Sequence, residues 1–217
     1  MAVNNGTNVL VAGVGGQGVI LSSELLALAA LAAGYDVKQG EFHGVAQRGG
    51  AVFSHVRFGD KVRSPMSPRG RVDHLLALEK LEALRYAHFV KPGGTILVND
   101  YQVEPVRLGD ARPYPQDGTE FLTKKGFDVI LVEATRKAVD LGNYRAANVI
   151  LLGALSTRLD IPAEVWVRTL EERIPPKLLE LNRKAFAAGQ EAAGAKAPGK
   201  KAGRKAAPKT KEALRGD

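Results

Sequence analysis

Residues 8–12, Asn-Val-Leu-Val-Ala, form a short apolar, largely β-branched run that ends in glycines, the pattern of a buried strand entering a tight turn. Strong helix formers fill residues 19–33, and Gly34 supplies the stop, so a helix follows the turn. Residues 35–38 read as a second strand. Residues 51–58 alternate, with Val52, Ser54, Val56 and Phe58 on one side and Phe53, His55 and Arg57 on the other, and Gly59-Asp60 predicts a hairpin or sharp turn after them.

Farther along, the pattern predicts a strand over 75–78, a helix over 79–90, a turn at Lys91-Pro-Gly-Gly94 and a strand over 95–98. Residues 105–116 contain three prolines and take no assignment. The run Phe127-Asp-Val-Ile-Leu-Val132 reads as the clearest central strand. Helices are expected from Ala134, over 143–159, and as a pair between Pro162 and about residue 188. Strands separated by such helices imply βαβ units, hence an α/β fold: a Rossmann-like three-layer sandwich with a mostly parallel sheet. Leu25, Leu28, Leu151, Leu152, Leu155 and Trp166 are the expected packing residues, with Trp166 alternatively an anchor for a subunit contact.

Charge changes the picture only at the carboxyl end. The 217 residues carry a net charge of +8, but residues 187–217 hold eight basic and three acidic side chains against 23 and 20 in the rest. This separates a folded domain, 1–189, from a Lys/Ala-rich tail, 190–217, too poor in large apolar side chains to order itself. A solubilising extension is the favoured reading of that tail over an arm for an acidic partner, and a nearly neutral domain argues against specific nucleic-acid binding. Residues 1–7 lack the pattern of a signal peptide, and no apolar run approaches the roughly 18 residues of a membrane span, so a cytoplasmic protein without a membrane partner is expected. There is no cysteine, and His43, His55, His74 and His88 show no paired ligand spacing, so no metal site or iron–sulfur cluster is expected on this chain alone.

Candidate chemistry gathers in two loops. Gly13-Val-Gly15-Gly16-Gln17-Gly18 matches G-x-G-x-x-G between a strand and a helix, where backbone N–H groups can approach an anion. Glu41 stands near the place where a dinucleotide site keeps its ribose-binding acid, so a stand-alone NAD- or nucleotide-binding protein is one reading, and glycines that serve only turn and packing are another. The second loop, His43-Gly-Val-Ala-Gln47-Arg48-Gly49-Gly50, combines an imidazole, a carboxamide and a guanidinium with flexible backbone and could bind anions, fix its own conformation or touch a partner. No Walker lysine, G-x-S-x-G elbow or acid pair accompanies either loop, which leaves binding groups without a reaction centre and no catalytic residue.

These loops, together with Ser54-His-Val-Arg57, Ser64-Pro-Met-Ser-Pro-Arg-Gly70 with Asp73, Leu78-Glu-Lys-Leu-Glu-Ala-Leu-Arg85, Lys91-Pro-Gly-Gly94, Gly142-Asn143 with Asn148 and Gly153, and Asn182-Arg-Lys-Ala-Phe186 with Gly189, resemble the gamma-type subunits of 2-oxoacid:ferredoxin oxidoreductases. The H-G-x-A-Q-R-G-G form of the loop is most similar to the indolepyruvate branch. The resemblance spans about residues 8–189 and leaves the tail without a counterpart. It implies a larger catalytic partner subunit holding thiamine diphosphate, Mg2+ and [4Fe-4S] clusters in a hetero-oligomer such as α2β2, with ferredoxin accepting electrons through the complex. The implied reaction is oxidative decarboxylation of an arylpyruvate (indolepyruvate, phenylpyruvate or phenylglyoxylate) to an aryl-acetyl-CoA, as in aromatic amino acid catabolism. The resemblance also implies that the chain, inactive alone, packs on that active site and helps bind coenzyme A as co-substrate. By the same resemblance Gly13, Gly15, Gly16, Gln17 and Gly18, with His43, Gln47, Arg48, Gly49 and Gly50, line the partner-facing cleft, and Asn143 lies nearby.

Overall fold

The computed structural model describes residues 6–43, 50–104 and 114–194, the side chain of His43 excepted. Its six-stranded sheet has the order β2-β3-β1-β4-β5-β6, built from β1 (Thr7–Val14), β2 (Asp36–His43), β3 (Ala51–Gly59), β4 (Val72–Ala77), β5 (Val90–Asn99) and β6 (Asp128–Val132). From β1 through β4, β5 and β6 every pairing is parallel, while β3 runs antiparallel to both β1 and β2. The mostly parallel α/β sandwich expected from the sequence is the observed fold.

Alternation along the strands sends successive side chains to opposite faces, which makes two cores. Val9, Val11, Leu76 and Leu97 point to the face covered by α1 (Val19–Ala32), α4 (Ala134–Asp140), α5 (Ala147–Ser156), α6 (Ala163–Arg173) and α7 (Pro176–Ala192). Leu10, Ala12, Leu75, Ala77, Ile96 and Val98 point to the thinner layer of α2 (Lys80–Tyr86) and α3 (Gly118–Lys124). Helix α5 is apolar on every side and buried from Asn148 to Ser156, as an interior helix must be. It crosses α7 where two glycines meet: a Cβ on Gly153 would stand 2.0 Å from the Phe186 carbonyl oxygen, and one on Gly189 1.8 Å from that of Ile150. Trp166 is packed in this core with its ring centroid 5.5 Å from that of Phe186.

Several motifs that marked the sequence tie the frame together. Arg57 Nε donates to Asn8 Oδ1, and its Nη1 donates to the carbonyls of Ser64 and Met66, which fastens the Ser64-Pro-Met segment to β3. Asp73 accepts from the Asn8 amide and pairs with Lys91. No helix among the described residues is long and apolar enough to cross a membrane.

Some expectations need correction. The run ending in Val132 is an edge strand rather than a central one; Val129, Ile130 and Val132 pack against the two cores, while Asp128 and Leu131 stay exposed. The second strand extends to His43, and the hairpin is β2–β3, pairing Asp36 with Gly59 and His43 with Val52, so Gly59-Asp60 is not its turn. The region 143–159 divides into a 3-10 turn (Tyr144–Ala146) and α5, and α3 arises where no helix was assigned. Leu28 is 38% exposed, on the outer side of α1, so it is not a core residue.

Candidate functional site

The carboxyl ends of β1, β4 and β5 open at one edge of the parallel flank, where an open α/β sheet keeps its binding crevice. The glycine turn sits there. Gly16 and Gly18 have φ of +98° and +87°, a left-handed conformation that glycine alone adopts without strain, and Gly18 leads directly into α1. Gln17 folds back so that its Oε1 accepts from the Val14 amide at 2.8 Å, and the Gln17 amide donates to the Val14 carbonyl at 3.1 Å. Gly13 must lack a side chain for this closure, since its Cβ would lie 2.8 Å from that same Oε1. The Gly15 amide donates to the Gly50 carbonyl at 2.9 Å, joining the turn to the end of the second loop.

Beside the turn is a cleft of about 310 Å³. Leu21, Leu78 and Leu151 contribute apolar surface, and Gln17, Asn99, Thr135 and Asn148 supply neutral polar groups, with Tyr101, Tyr144 and Arg145 completing the wall. Asn99, at the tip of β5, donates from Nδ2 to the Leu78 carbonyl at 3.2 Å and to Thr135 Oγ1 at 2.8 Å, and accepts from the Thr135 amide at 3.2 Å. This locks the start of α4 to the strand ends. Asn143 Oδ1 accepts from the Arg145 amide at 3.1 Å and caps the 3-10 turn that presents Tyr144 and Arg145. The Arg145 guanidinium lies 5.8 Å from the Tyr144 ring centroid, and hydrogen bonding to the Tyr144 hydroxyl holds its pKa above the ordinary value, so it remains a cation. Asn148 is 4% exposed and approaches the turn so closely that a Cβ on Gly18 would be 2.5 Å from its Nδ2.

On the other side of Gly16 and Gly18 is a second cleft of about 420 Å³, walled by Val14, Val19, Ile20 and Val52 with Gly15. Among the described residues lining the two clefts there is no carboxylate, and Arg145 is the charged one. Such walls suit an anionic ligand with apolar parts. The buried acid that follows Leu78, Glu79, is already engaged: it accepts from the Tyr114 hydroxyl and from the amides of Glu82 and Val103. Burial and that hydrogen bond push the Tyr114 hydroxyl well above its usual range. No group of three or more potential metal-ligating side chains occurs among the described residues.

Of the residues singled out in the sequence, Gly13, Gly15, Gly16, Gln17, Gly18 and Gly50 are together at the turn, and Asn143 stands behind the cleft as a cap. The backbone of His43 shares a register row with Val52 and Gly13. Gln47, Arg48 and Gly49 lie outside the described residues. Sequence reasoning missed Asn99, Tyr101, Thr135, Tyr144, Arg145 and Asn148 as cleft residues. Their available signal was position, just past strand ends or next to Gly142-Asn143.

Comparison with known proteins adds three findings. The profile of the family described as pyruvate ferredoxin/flavodoxin oxidoreductase matches residues 8–192. Indolepyruvate oxidoreductase subunit IorB of Pyrococcus horikoshii is 38% identical over 192 residues, 86% of this chain and 95% of that protein. Among solved structures, the gamma subunit of keto/oxoacid ferredoxin oxidoreductase from Geobacter sulfurreducens is similar with a TM-score of 0.66 at 27% identity, over 86% of this chain and 98% of that one. A 2-oxoglutarate:ferredoxin oxidoreductase from Magnetococcus marinus, solved with 2-oxoglutarate, coenzyme A and succinyl-CoA bound, shares the fold over 89% of this chain and 32% of that one, with a TM-score of 0.68 at 23% identity.

Proposed function

The chain belongs to the pyruvate ferredoxin/flavodoxin oxidoreductase family and is a subunit of a 2-oxoacid:ferredoxin oxidoreductase, and from this premise we propose that it is the coenzyme A-binding subunit of an indolepyruvate-type complex. The observation that carries the coenzyme A reading is the lining of the cleft: a glycine turn at a helix start, a guanidinium beside an exposed aromatic ring, and no carboxylate among the described lining residues. Phosphates gain from Arg145 and the open backbone at Gly16, and an adenine ring can pack on Tyr144. The coenzyme A bound to the Magnetococcus marinus enzyme agrees with this reading.

In this proposal a larger cytoplasmic partner subunit holds thiamine diphosphate with Mg2+ and the iron–sulfur clusters. The chain, without a single cysteine, offers no thiolate for a cluster. When bound, thiamine diphosphate supplies the carbanion chemistry that releases CO2 from the arylpyruvate. The present chain binds and orients the coenzyme A whose thiol sulfur receives the aryl-acetyl group, while the electrons leave to ferredoxin. Gly13, Gly15 to Gly18 and Asn143 shape the cleft, and the loop of His43, Gln47, Arg48, Gly49 and Gly50 contributes on the partner-facing side. The 38% identity to the IorB subunit supports an aryl substrate.

The test is to purify the tagged chain with its native partner under anoxic conditions and assay viologen reduction that depends on arylpyruvate and coenzyme A. In the purified complex, Arg145→Ala should raise the KM for coenzyme A about tenfold, about the loss of one charge-assisted contact, and leave the KM for arylpyruvate within about twofold. An unchanged KM for coenzyme A overturns the assignment.

A further inference from the structure

The loop between β3 and β4 lies at the edge of the sheet opposite the glycine turn, where β1 and β4 begin and β3 ends. Two side chains fix its shape. Arg57 donates from Nε to Asn8 and from Nη1 to the carbonyls of Ser64 and Met66, and Asn8 Nδ2 donates to the Arg71 carbonyl at 3.1 Å. The Arg71 amide donates to the Pro68 carbonyl and the Gly70 amide to the His88 carbonyl, while Pro65 and Pro68 add two fixed φ angles. What this anchored loop holds outward is Arg63, Met66, Arg69 and Arg71, all exposed, Met66 by half. The three guanidinium groups make no hydrogen bond or ion pair with a described residue.

The charge is concentrated rather than spread. Residues 60–71 carry four bases and one acid, an excess of three that equals the whole excess of residues 1–186. The acids on the border of the loop are already taken: Asp36 by Lys38 and the Val62 amide, Asp73 by Lys91 and the Asn8 amide. The residues outside the described ones hold eleven bases against three acids, so they add to the excess.

Independently of the coenzyme A reading, we propose that this loop is a docking surface for a carboxylate-rich protein face, that of another subunit of the oxidoreductase complex. The chain is a subunit, so a protein surface must cover part of it. Arginine and methionine are side chains that protein interfaces favour over lysine, and the guanidinium fork takes carboxylates two contacts at a time. A loop already held in place loses little freedom on docking. One thioether is too little apolar surface to enter a membrane, and a phosphate backbone gains nothing from Met66 between Arg63 and Arg69.

Sedimentation of the purified complex, full chain with native partner, between about 0.05 and 0.5 M NaCl tests this without substrate or coenzyme present. The parent complex should loosen as salt rises. The triple variant Arg63→Ala, Arg69→Ala, Arg71→Ala should raise the dissociation constant about thirtyfold at low salt and flatten its salt dependence. Lysine at the same three positions should restore the salt dependence, and Met66→Ser should weaken association about fivefold without altering that dependence. All variants should melt with the parent, because these side chains hold nothing in the described fold. An alanine triple that associates like the parent, or a lysine triple without salt dependence, overturns the proposal. So does a parent chain whose arginines bind duplex DNA or phosphatidylglycerol vesicles while subunit association is the same in parent and alanine triple. The coenzyme A assignment stands or falls separately, since its readout is the KM.

Discussion

On one side of β1 the sheet is parallel and ends in an open crevice; on the other it is antiparallel and ends in a hairpin. The parallel flank gathers strand tips, helix starts and the glycine turn at one edge, so Asn99, Thr135 and Asn148 reach one cleft from three separate elements. The antiparallel flank brings the beginning of β3 to that edge, and what its described residues offer there is Val52, an apolar wall. Reversing one strand therefore changes the chemistry beside the turn. In a dinucleotide-binding unit the strand after the first helix pairs directly with the first strand and delivers its acid to the cofactor. Here β3 is interposed, and β2 lies one strand farther out.

The helical layer over the parallel flank is where the comparison can be broken most severely. A methyl group on Gly189 would sit 1.8 Å from the Ile150 carbonyl oxygen, a backbone atom that cannot move without shifting all of α5. Gly189→Ala should cost several kcal/mol and lower the thermal midpoint by on the order of 10 °C, with the cleft lost alongside because α5 carries Asn148. A melt within about 2 °C of the parent would show that α5 and α7 do not set the rigidity of that flank.

The antiparallel flank also responds to pH. His55 of β3 is fully buried among Phe42, Phe53 and Phe89, with ring centroids 5.5 to 5.9 Å away, and neither ring nitrogen has a hydrogen-bond partner among the described residues. Burial, aided by Arg57, pushes its pKa down to about 4. The unfolded chain, with an ordinary histidine near 6.5, then takes up the proton first, so stability is full above that pH and falls as pH drops from about 6.5 toward 4. Between pH 7.5 and 5 this group should remove about 2 kcal/mol. His74 on β4, also held near 4 chiefly by burial, acts in the same direction on the parallel flank. His55→Leu should therefore reduce, not abolish, the acid-dependent shift of the urea midpoint. An identical shift in parent and variant would mean that the aromatic cage admits water or protons freely.

How much of this was legible beforehand follows the same division. The β1–turn–α1 unit was readable because a β-branched run, glycines and a run of helix formers stand next to one another and all favour one geometry. The place of β6 was not, because its apolar run reads like a central strand although in the fold Leu131 is left exposed at the sheet's edge. Gly153 and Gly189 were visible as motifs, but only the helix crossing shows them to be contact points rather than turns. The glycine turn supplied half of the candidate site. The other half, from Asn99 to Asn148, comes from positions dispersed along the chain, polar residues that, Asn148 of the motif apart, look ordinary in sequence and converge only because parallel strands end together.

The smallest expected effect is the sharpest on function. Glu41 stood in sequence where a ribose-binding acid would be, yet it pairs through β3 with Ser54, which in turn faces Val11, so it lies well below the turn as well as two strands across. Neighbouring strands are about 4.8 Å apart and each residue rises about 3.3 Å, which puts the Glu41 backbone on the order of 10 Å from that of Gly13. Its Oε1 already accepts from Gln39 Nε2 at 3.0 Å, and Gln39 in turn donates to Ser23 of α1, so the side chain is engaged along the outer edge of the sheet. Glu41→Gln keeps size and shape while removing charge. It should leave the KM for coenzyme A and the turnover of the complex within about twofold, since a charge at that separation is largely screened at ordinary salt. A tenfold loss of ligand binding in Glu41→Gln would mean instead that Glu41 itself reaches into the site. The division of labour across β1 would then have to be redrawn around a diol-binding acid.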